Sequence, residues 1–520
     1  MPRVFNTTGP CNAEDHYMLP PEARLPDLEA LVEGKLYFVL HAARQTGKTT
    51  AMRAFAARMR ARGYVAVWAT LEECQGITEI AGAEPLWLRA IARAASYELP
   101  PDRRPPGVAV ALAGDAGGRL GAWLADWCSR VPAPVVLLLD EADLVGGPAL
   151  VSLLRQLRAG FMDRGLGRFP VSIGLIGMRD LRDYLTASKD GVPVNPGSPF
   201  NIKAASLTLR NFTEAEVGSL YRQHTADTGQ VFLSDAVARV YYWTEGQPFL
   251  VNALARLCVM EIATDRSRVI DAAMIDEAKD RLILARTTHL DALGERLKEA
   301  RVARIVEAVL VGDMPRAIPY DHDDFQYVQD LGFIRRGLDG AEVACPLYRE
   351  VLARQLTCNL QESLTRPRWR WLTAEGRLDF PALVTAFLAW WRENADVLVE
   401  DVPLYPEAIP HLAFMAFLQR VVNGGGRVLR EYAAGRRALD LLVEYGPDRF
   451  VVEIKRVRPR DNPESIRREG VAQVRDYLDI VGEREAWLLI FNQRPGLSWE
   501  QRLWTDEVEV DGRIVRLVGA

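Results

Sequence analysis

Residues 36–62, LYFVLHAARQTGKTTAMRAFAARMRAR, constrain the fold more than any other stretch. A short apolar run leads into a loop, and the loop leads directly into a helical pattern. The run LYFVLH lacks the polar–apolar alternation of a half-wet strand, so it reads as a strand buried on both faces. YVAVWA, PVVLLLD and VSIGLIGM repeat that texture, with helical patterns between them. Strands of this kind separated by helices predict a parallel sheet flanked by helices, from residue 36 to about 180.

The loop at the end of the first strand carries the chemistry. In HAARQTGKTT the segment Ala42, Ala43, Arg44, Gln45, Thr46, Gly47, Lys48, Thr49 and Thr50 matches a phosphate-binding loop, with alanine at the usual first glycine. Backbone N–H groups of such a loop and of the helix N-terminus attract phosphate oxygens. Lys48 is placed to reach the β- and γ-phosphates, and the Thr49 hydroxyl to hold Mg²⁺. Downstream, PVVLLLDEAD ends a strand with Asp140 and Glu141. An aspartate there orients Mg²⁺ and the following glutamate positions the attacking water; the bland alternative is a helix cap. In VSIGLIGMRD an apolar strand ends at Arg179, which either reads the γ-phosphate or is a surface arginine. In TEGQPFLVNAL, Gly246 and Pro248 punctuate two helices, and the proline also suits an ordinary helix start.

HAARQTGKTT, LLLDEAD, GMRD and GQPFLVNAL together resemble the AAA+/STAND branch of P-loop ATPases, including archaeal-type ATPases with a winged helix, over roughly residues 5–360. The resemblance implies ATP and Mg²⁺ as cofactors, Arg179 as the nucleotide sensor, and Gly246 and Pro248 beside the adenine. His16 and Tyr17 fall where such proteins keep an adenine-side segment.

Beyond residue 180 the text turns helical, opening at Thr213 with a capping pattern. A helix, a turn and two short strands around residues 293–365 have the order of a winged helix. The 520-residue chain is therefore expected as four parts: a P-loop core (1–210), a helical lid (211–292), a winged helix (293–365) and a C-terminal α/β domain (366–520). A net charge of −5 excludes a globally basic nucleic-acid-coating protein. Six scattered cysteines without a CxxC pair suit a reducing cytosol, the expected location. The apolar stretch FPALVTAFLAWW is too short for a membrane span, and no membrane association is expected.

The hairpin RALDLLVEYGPDRFVVEIK, residues 437–455, breaks its apolar strands with Asp440, Glu453 and Lys455. A turn centred between Gly446 and Pro447 sets Asp440 directly opposite Glu453, with Lys455 on the same face. Facing carboxylates repel unless a cation lies between them, and Mg²⁺ favours oxygen donors, to which the Ile454 carbonyl could add. The bland reading is the wet face of a sheet. The segment KRVRPRDNPESIRRE adds six basic residues against three acidic ones, a local attraction for a phosphate backbone or a solvated loop. Gln473 and Tyr477 share one face of the following helix.

GRRALDLL, VVEIK and QVRDY resemble the PD-(D/E)XK nuclease superfamily over about residues 400–495. That resemblance implies a restriction-endonuclease-like α/β domain, with Asp440 and Glu453 as metal ligands and Lys455 catalytic. Gln473 and Tyr477 would be accessory site or DNA-contacting residues. A further glutamate ligand falls on Glu407, with Glu431 as the alternative. Mg²⁺, or Mn²⁺ in its place, is the implied metal and nucleic acid, foremost DNA, the implied partner. The expected whole is a multidomain α/β protein in which an ATP switch controls a nuclease in genome defence or mobile-element conflict. A homo-oligomer and a protein or nucleic-acid trigger fit that scheme. The rival class is a non-cleaving ATP-dependent switch or DNA loader.

Overall fold

A computed structural model describes the chain except residues 1–2, 26, 179–202, 286–287, 312–322, 338–339, 353–370, 374, 402–412, 416, 419–426, 435–436, 459, 484, 493 and 495. Side chains at some further positions, 429–440 among them, are likewise outside the description. Arg179 and Glu407 thus lie outside the described residues, as do the side chains of Asp440 and Glu431. The chain divides into two compact units, Met1–Leu290 with Ala317–Leu347, and Asp291–Arg316 with Tyr348–Ala520.

The first unit is built on five strands, β1 (Tyr37–His41), β2 (Val65–Thr70), β3 (Val135–Asp140), β4 (Ser172–Gly177) and β5 (Lys203–Thr208). Their order is β2-β3-β4-β1-β5, and every neighbouring pair is parallel. Alternate residues point to opposite faces, and both faces are covered. Val39, Val67, Leu137 and Leu175 meet the helices Ile80–Glu98, Arg119–Arg130 and Gly147–Gly160. Phe38, Leu40, Ala66 and Leu138 meet the helices Leu28–Glu33 and Lys48–Ala61. Double coverage explains the uninterrupted apolar runs. Parallel strands with helices on both faces make an α/β domain of the kind expected. β4 lies between β1 and β3, and all three end at the same edge, where α/β sheets bind ligands.

After β5 come the helices Glu214–Thr228, Ser234–Thr244, Pro248–Leu257 and Ala272–Leu284, in the stretch expected as a lid. The first opens with a reciprocal capping box between Thr213 and Glu216. The helix Asp323–Asp330 and a hairpin of β6 (Ile334–Gly337) and β7 (Gly340–Val343) complete this unit.

The stretch expected as a winged helix is divided between the units. The helix Ala300–Val311 belongs to the second unit, where its Leu310 packs against the core around Phe380 and Phe387. The hairpin belongs to the first, where Arg335 pairs with Glu245 at 2.8 Å. Local element order was legible in that stretch; its tertiary partners were not.

The second unit holds a mixed sheet of β8 (Arg427–Ala434), β9 (Arg437–Tyr445), β10 (Asp448–Val457), β11 (Glu485–Asn492), β12 (Trp504–Val510) and β13 (Arg513–Gly519). The order is β12-β13-β11-β10-β9-β8. β10 and β11 are parallel and joined by the helix Pro463–Val481; β9 and β10 form the antiparallel hairpin. One face packs on the helix Phe380–Asp401 through Leu441, Val452, Ile454 and Leu489. The other packs under the helix Pro463–Val481 through Leu442, Val451, Leu488 and Ile490. Among the described residues no helix is long and apolar enough to cross a membrane.

Candidate phosphate-binding and hydrolytic sites

β1 ends at His41, and the chain turns through residues 42–47 into the helix Lys48–Ala61. Gly47 precedes that helix with φ +91°, and the helix start carries no side-chain cap. Its first-turn N–H groups therefore point out of the sheet edge, as an anion site requires. Lys48 is buried and folds back over the loop, its Nζ donating to the carbonyls of Ala42 at 2.7 Å and Ala43 at 3.0 Å. Burial pushes its ammonium below the ordinary lysine range, while Glu141, Asp140 and Asp143 pull it back up. Arg44 and Gln45 are exposed at the loop tip.

Asp140 closes the site from β3. It is 1% exposed, and its Oδ2 accepts hydrogen bonds from Thr49 Oγ1 at 2.7 Å and Trp68 Nε1 at 3.2 Å. Burial raises its carboxyl above the ordinary range, with the Thr49 bond and Lys48 opposing. Glu141 follows in the left-handed region at φ +55°, a conformation uncommon outside glycine and characteristic of functional turns. Its carboxyl is also raised, by burial first and then by Asp143 and Asp140. A hydroxyl against a buried carboxylate, a lysine and an uncapped helix start together fit Mg²⁺ and a polyphosphate. Magnesium takes few protein ligands and completes its shell with water and phosphate.

The helix Pro248–Leu257 reaches the loop through its N-cap Gln247, whose Nε2 donates to the Gln45 carbonyl at 3.4 Å and whose Oε1 caps Leu250 N–H at 2.7 Å. Pro248 occupies the first turn of that helix. Gly246 has φ +70° and accepts from Phe212 N–H at 2.9 Å. A Cβ at residue 246 would lie 1.8 Å from the Phe212 carbonyl oxygen, so only glycine fits there. Tyr17 is 1% exposed in an aromatic cluster with Phe5 and His224, its hydroxyl 3.3 Å from His224 Nδ1. His16 Nδ1 accepts from Asn12 N–H, and Thr50 Oγ1 from Cys11 N–H. These three residues are thus engaged in holding the N-terminal segment.

Two residues at this site were not singled out from sequence. Asp143 is buried and accepts from Met178 N–H at 2.9 Å, fixing the end of β4 just before Arg179. The spacing LLLDEAD contained it, but its orientation is set by a strand remote in sequence. Arg24 is also buried, and it donates to the Thr46 carbonyl at 2.9 Å and to the Arg210 carbonyl. Burial pulls its guanidinium down to about 10. Nothing in LPPEARLPD marks it, because its partners are main-chain atoms.

In the second unit the hairpin has the register its turn dictates, running from Asp448↔Tyr445 through Val451↔Leu442 to Val452↔Leu441. The next positions along the two strands are Asp440 and Glu453. Glu453 is 2% exposed and accepts from Lys455 Nζ at 2.7 Å. Strand alternation puts both on the face covered by the helix Pro463–Val481, with Val451 and Val457. That helix comes close at Gly470, where a Cβ would lie 2.8 Å from Leu488 and 3.3 Å from the Lys455 stem. One turn on, Gln473 Oε1 is buried with no hydrogen-bond partner among the described residues, and Tyr477 is buried. A buried acceptor on the helix that covers the sheet face of a buried carboxylate and its lysine fits a site that orders a cation or water. No group of three or more metal-binding side chains occurs among the described residues.

No family model matches the sequence, and no curated protein matches it. Among solved structures, the chain is similar to the Walker-type ATPase of Pyrococcus abyssi at 15% identity and TM-score 0.48, over 67% of this chain and 99% of that one. It is similar to the ORC2 protein of Aeropyrum pernix at 16% identity and TM-score 0.38, over 69% and 98%. The RuvB Holliday junction branch migration motor of Thermotoga maritima matches at 14% identity and TM-score 0.34, over 64% and 92%. At these identities and TM-scores, none of the likenesses fixes a function for this chain.

Proposed function

We propose that the chain is an ATP-binding and ATP-hydrolysing switch of AAA+ type that controls a metal-dependent nuclease in its C-terminal unit. The observation that carries the ATPase half is the Thr49–Asp140 hydrogen bond beside buried Lys48. Uncapped N–H groups and Lys48 bind the phosphates, and Thr49 with Asp140 holds Mg²⁺. The metal, when bound, neutralises charge on the phosphate oxygens. Glu141 orients the attacking water and accepts its proton, a role to which its raised carboxyl is suited. Arg179, which follows Met178 in the sequence, would act as the sensor of the γ-phosphate.

The nuclease half is supported by Glu453 and Lys455 on a buried sheet face under the helix of Gln473 and Tyr477. Glu453 and Asp440, with the Ile454 carbonyl and a glutamate from Glu407 or Glu431, would hold the divalent cation. Lys455 stabilises charge on the cleaved phosphate or orients the water. The substrate is nucleic acid, foremost DNA. ATP turnover tests the first half: Lys48→Ala should abolish phosphate release, and persistent hydrolysis would overturn the site assignment.

A further inference from the structure

A loop that turns its N–H groups toward phosphate must turn its carbonyls the other way, and buried carbonyls need donors. In this chain those donors lead to the lid. Arg24, in the short helical turn Pro21–Arg24, is 8% exposed, and its hydrogen bonds to described residues all end on main-chain oxygens. One goes to Thr46, immediately before Gly47, and two to Arg210, in the short segment between β5 and the first lid helix. Arg210 returns the contact through its own side chain, donating to the Ala23 carbonyl at 3.0 Å. The same side chain makes a two-pronged pair with Glu216 at 2.7 and 2.8 Å. Glu216 is the residue that caps the first lid helix, accepting from Thr213 N–H at 2.8 Å.

A continuous path of charged hydrogen bonds therefore runs from Thr46 through Arg24, Arg210 and Glu216 to the start of the lid. Burying a guanidinium among carbonyls is costly, and a methionine or leucine would fill the same space without that cost. The cost is offset where the planar fork joins two segments that must move together; a lysine would have to reach both from a single point. The guanidinium carbon also lies 4.9 Å from the centre of the Phe212 ring, in the linker tied to Gly246.

We propose that Arg24 is a positioning residue that couples the phosphate loop to the lid, so that phosphate binding at Thr46–Gly47 is transmitted through Arg210 and Glu216 to the first lid helix. This rests on the nucleotide-binding reading of the loop.

The test uses the full chain, Arg24→Gln and Arg24→Lys, with a non-hydrolysable ATP analogue and Mg²⁺. Calorimetry reads affinity, and hydrogen–deuterium exchange reads residues 43–50 and 209–216 with and without nucleotide. In wild type, nucleotide should slow exchange in both segments. Arg24→Gln should bind about tenfold more weakly, the worth of one charged hydrogen bond. At saturation it should keep protection of 43–50 and lose it at 209–216. Arg24→Lys should regain affinity without regaining protection at 209–216. Should Arg24→Gln fail to fold, the lysine variant alone decides. Unchanged protection of 209–216 in the variants, or a lower Tm with unchanged affinity and protection, would overturn the coupling. Absence of nucleotide binding by wild type would instead overturn the nucleotide reading, and the coupling with it.

Discussion

The Thr49 hydroxyl donates a 2.7 Å hydrogen bond to Asp140, a residue 91 positions further along the chain. β1 and β3, with β4 between them, bring the loop and the carboxylate to one sheet edge, the pair on which the proposed Mg²⁺ site rests.

Asp140→Asn separates charge from geometry. The amide oxygen can still accept from Thr49, so Tm should move little, whereas Mg²⁺-dependent hydrolysis should fall about a hundredfold or more. Steady-state phosphate release across a Mg²⁺ titration checks this, and undiminished turnover would remove Asp140 from the metal site.

Gly246→Ala should destabilise the first unit by at least about 2 kcal/mol. The substitution forces a Cβ into the Phe212 carbonyl and strains a positive φ. Urea unfolding with the Gly246→Ala and wild-type chains side by side provides the measurement.

Glu216 gives a pH signature. Its hydrogen bonds to Arg210 hold its carboxyl down at about 2, below the ordinary value of 4.5. A depressed folded pKa gives stability that is present above 4.5 and lost as pH falls toward 2. Wild type should therefore melt higher than Glu216→Gln at pH 7, and the difference should shrink through that window. A constant difference from pH 7 to pH 2.5 would refute the pairing.

Much of this was legible in the sequence. Apolar strand runs and the Gly-Lys-Thr spacing located β1, β3 and the loop, because those patterns are enforced by local burial and turn chemistry. The Gly446–Pro447 turn fixed the hairpin register as far as Leu441↔Val452. Arg24 and Asp143 were not legible, since their partners are backbone groups supplied by distant segments. Among the described residues of 293–365, helices and the β6–β7 hairpin occur in the expected order, yet they pack into different units. Element order carries no record of which core an apolar face will find.

Glu453 is 2% exposed and paired to Lys455, so removing the lysine leaves a buried carboxylate short of a donor. Lys455→Met should lower stability by about 1–3 kcal/mol in the absence of divalent cation. If Glu453 is a metal ligand, added Mn²⁺ should raise the Tm of wild type and leave that of Glu453→Gln unmoved. Calorimetric melting with and without Mn²⁺ distinguishes the two.

The most direct measurement is cleavage of DNA and RNA by the full chain with Mg²⁺ or Mn²⁺, with and without ATP, beside Lys48→Ala and Lys455→Ala. Wild type should cut in an ATP-dependent manner, Lys48→Ala should lose the response to ATP, and Lys455→Ala should not cut under any condition. Equal behaviour of wild type and Lys455→Ala would contradict a nuclease under nucleotide control.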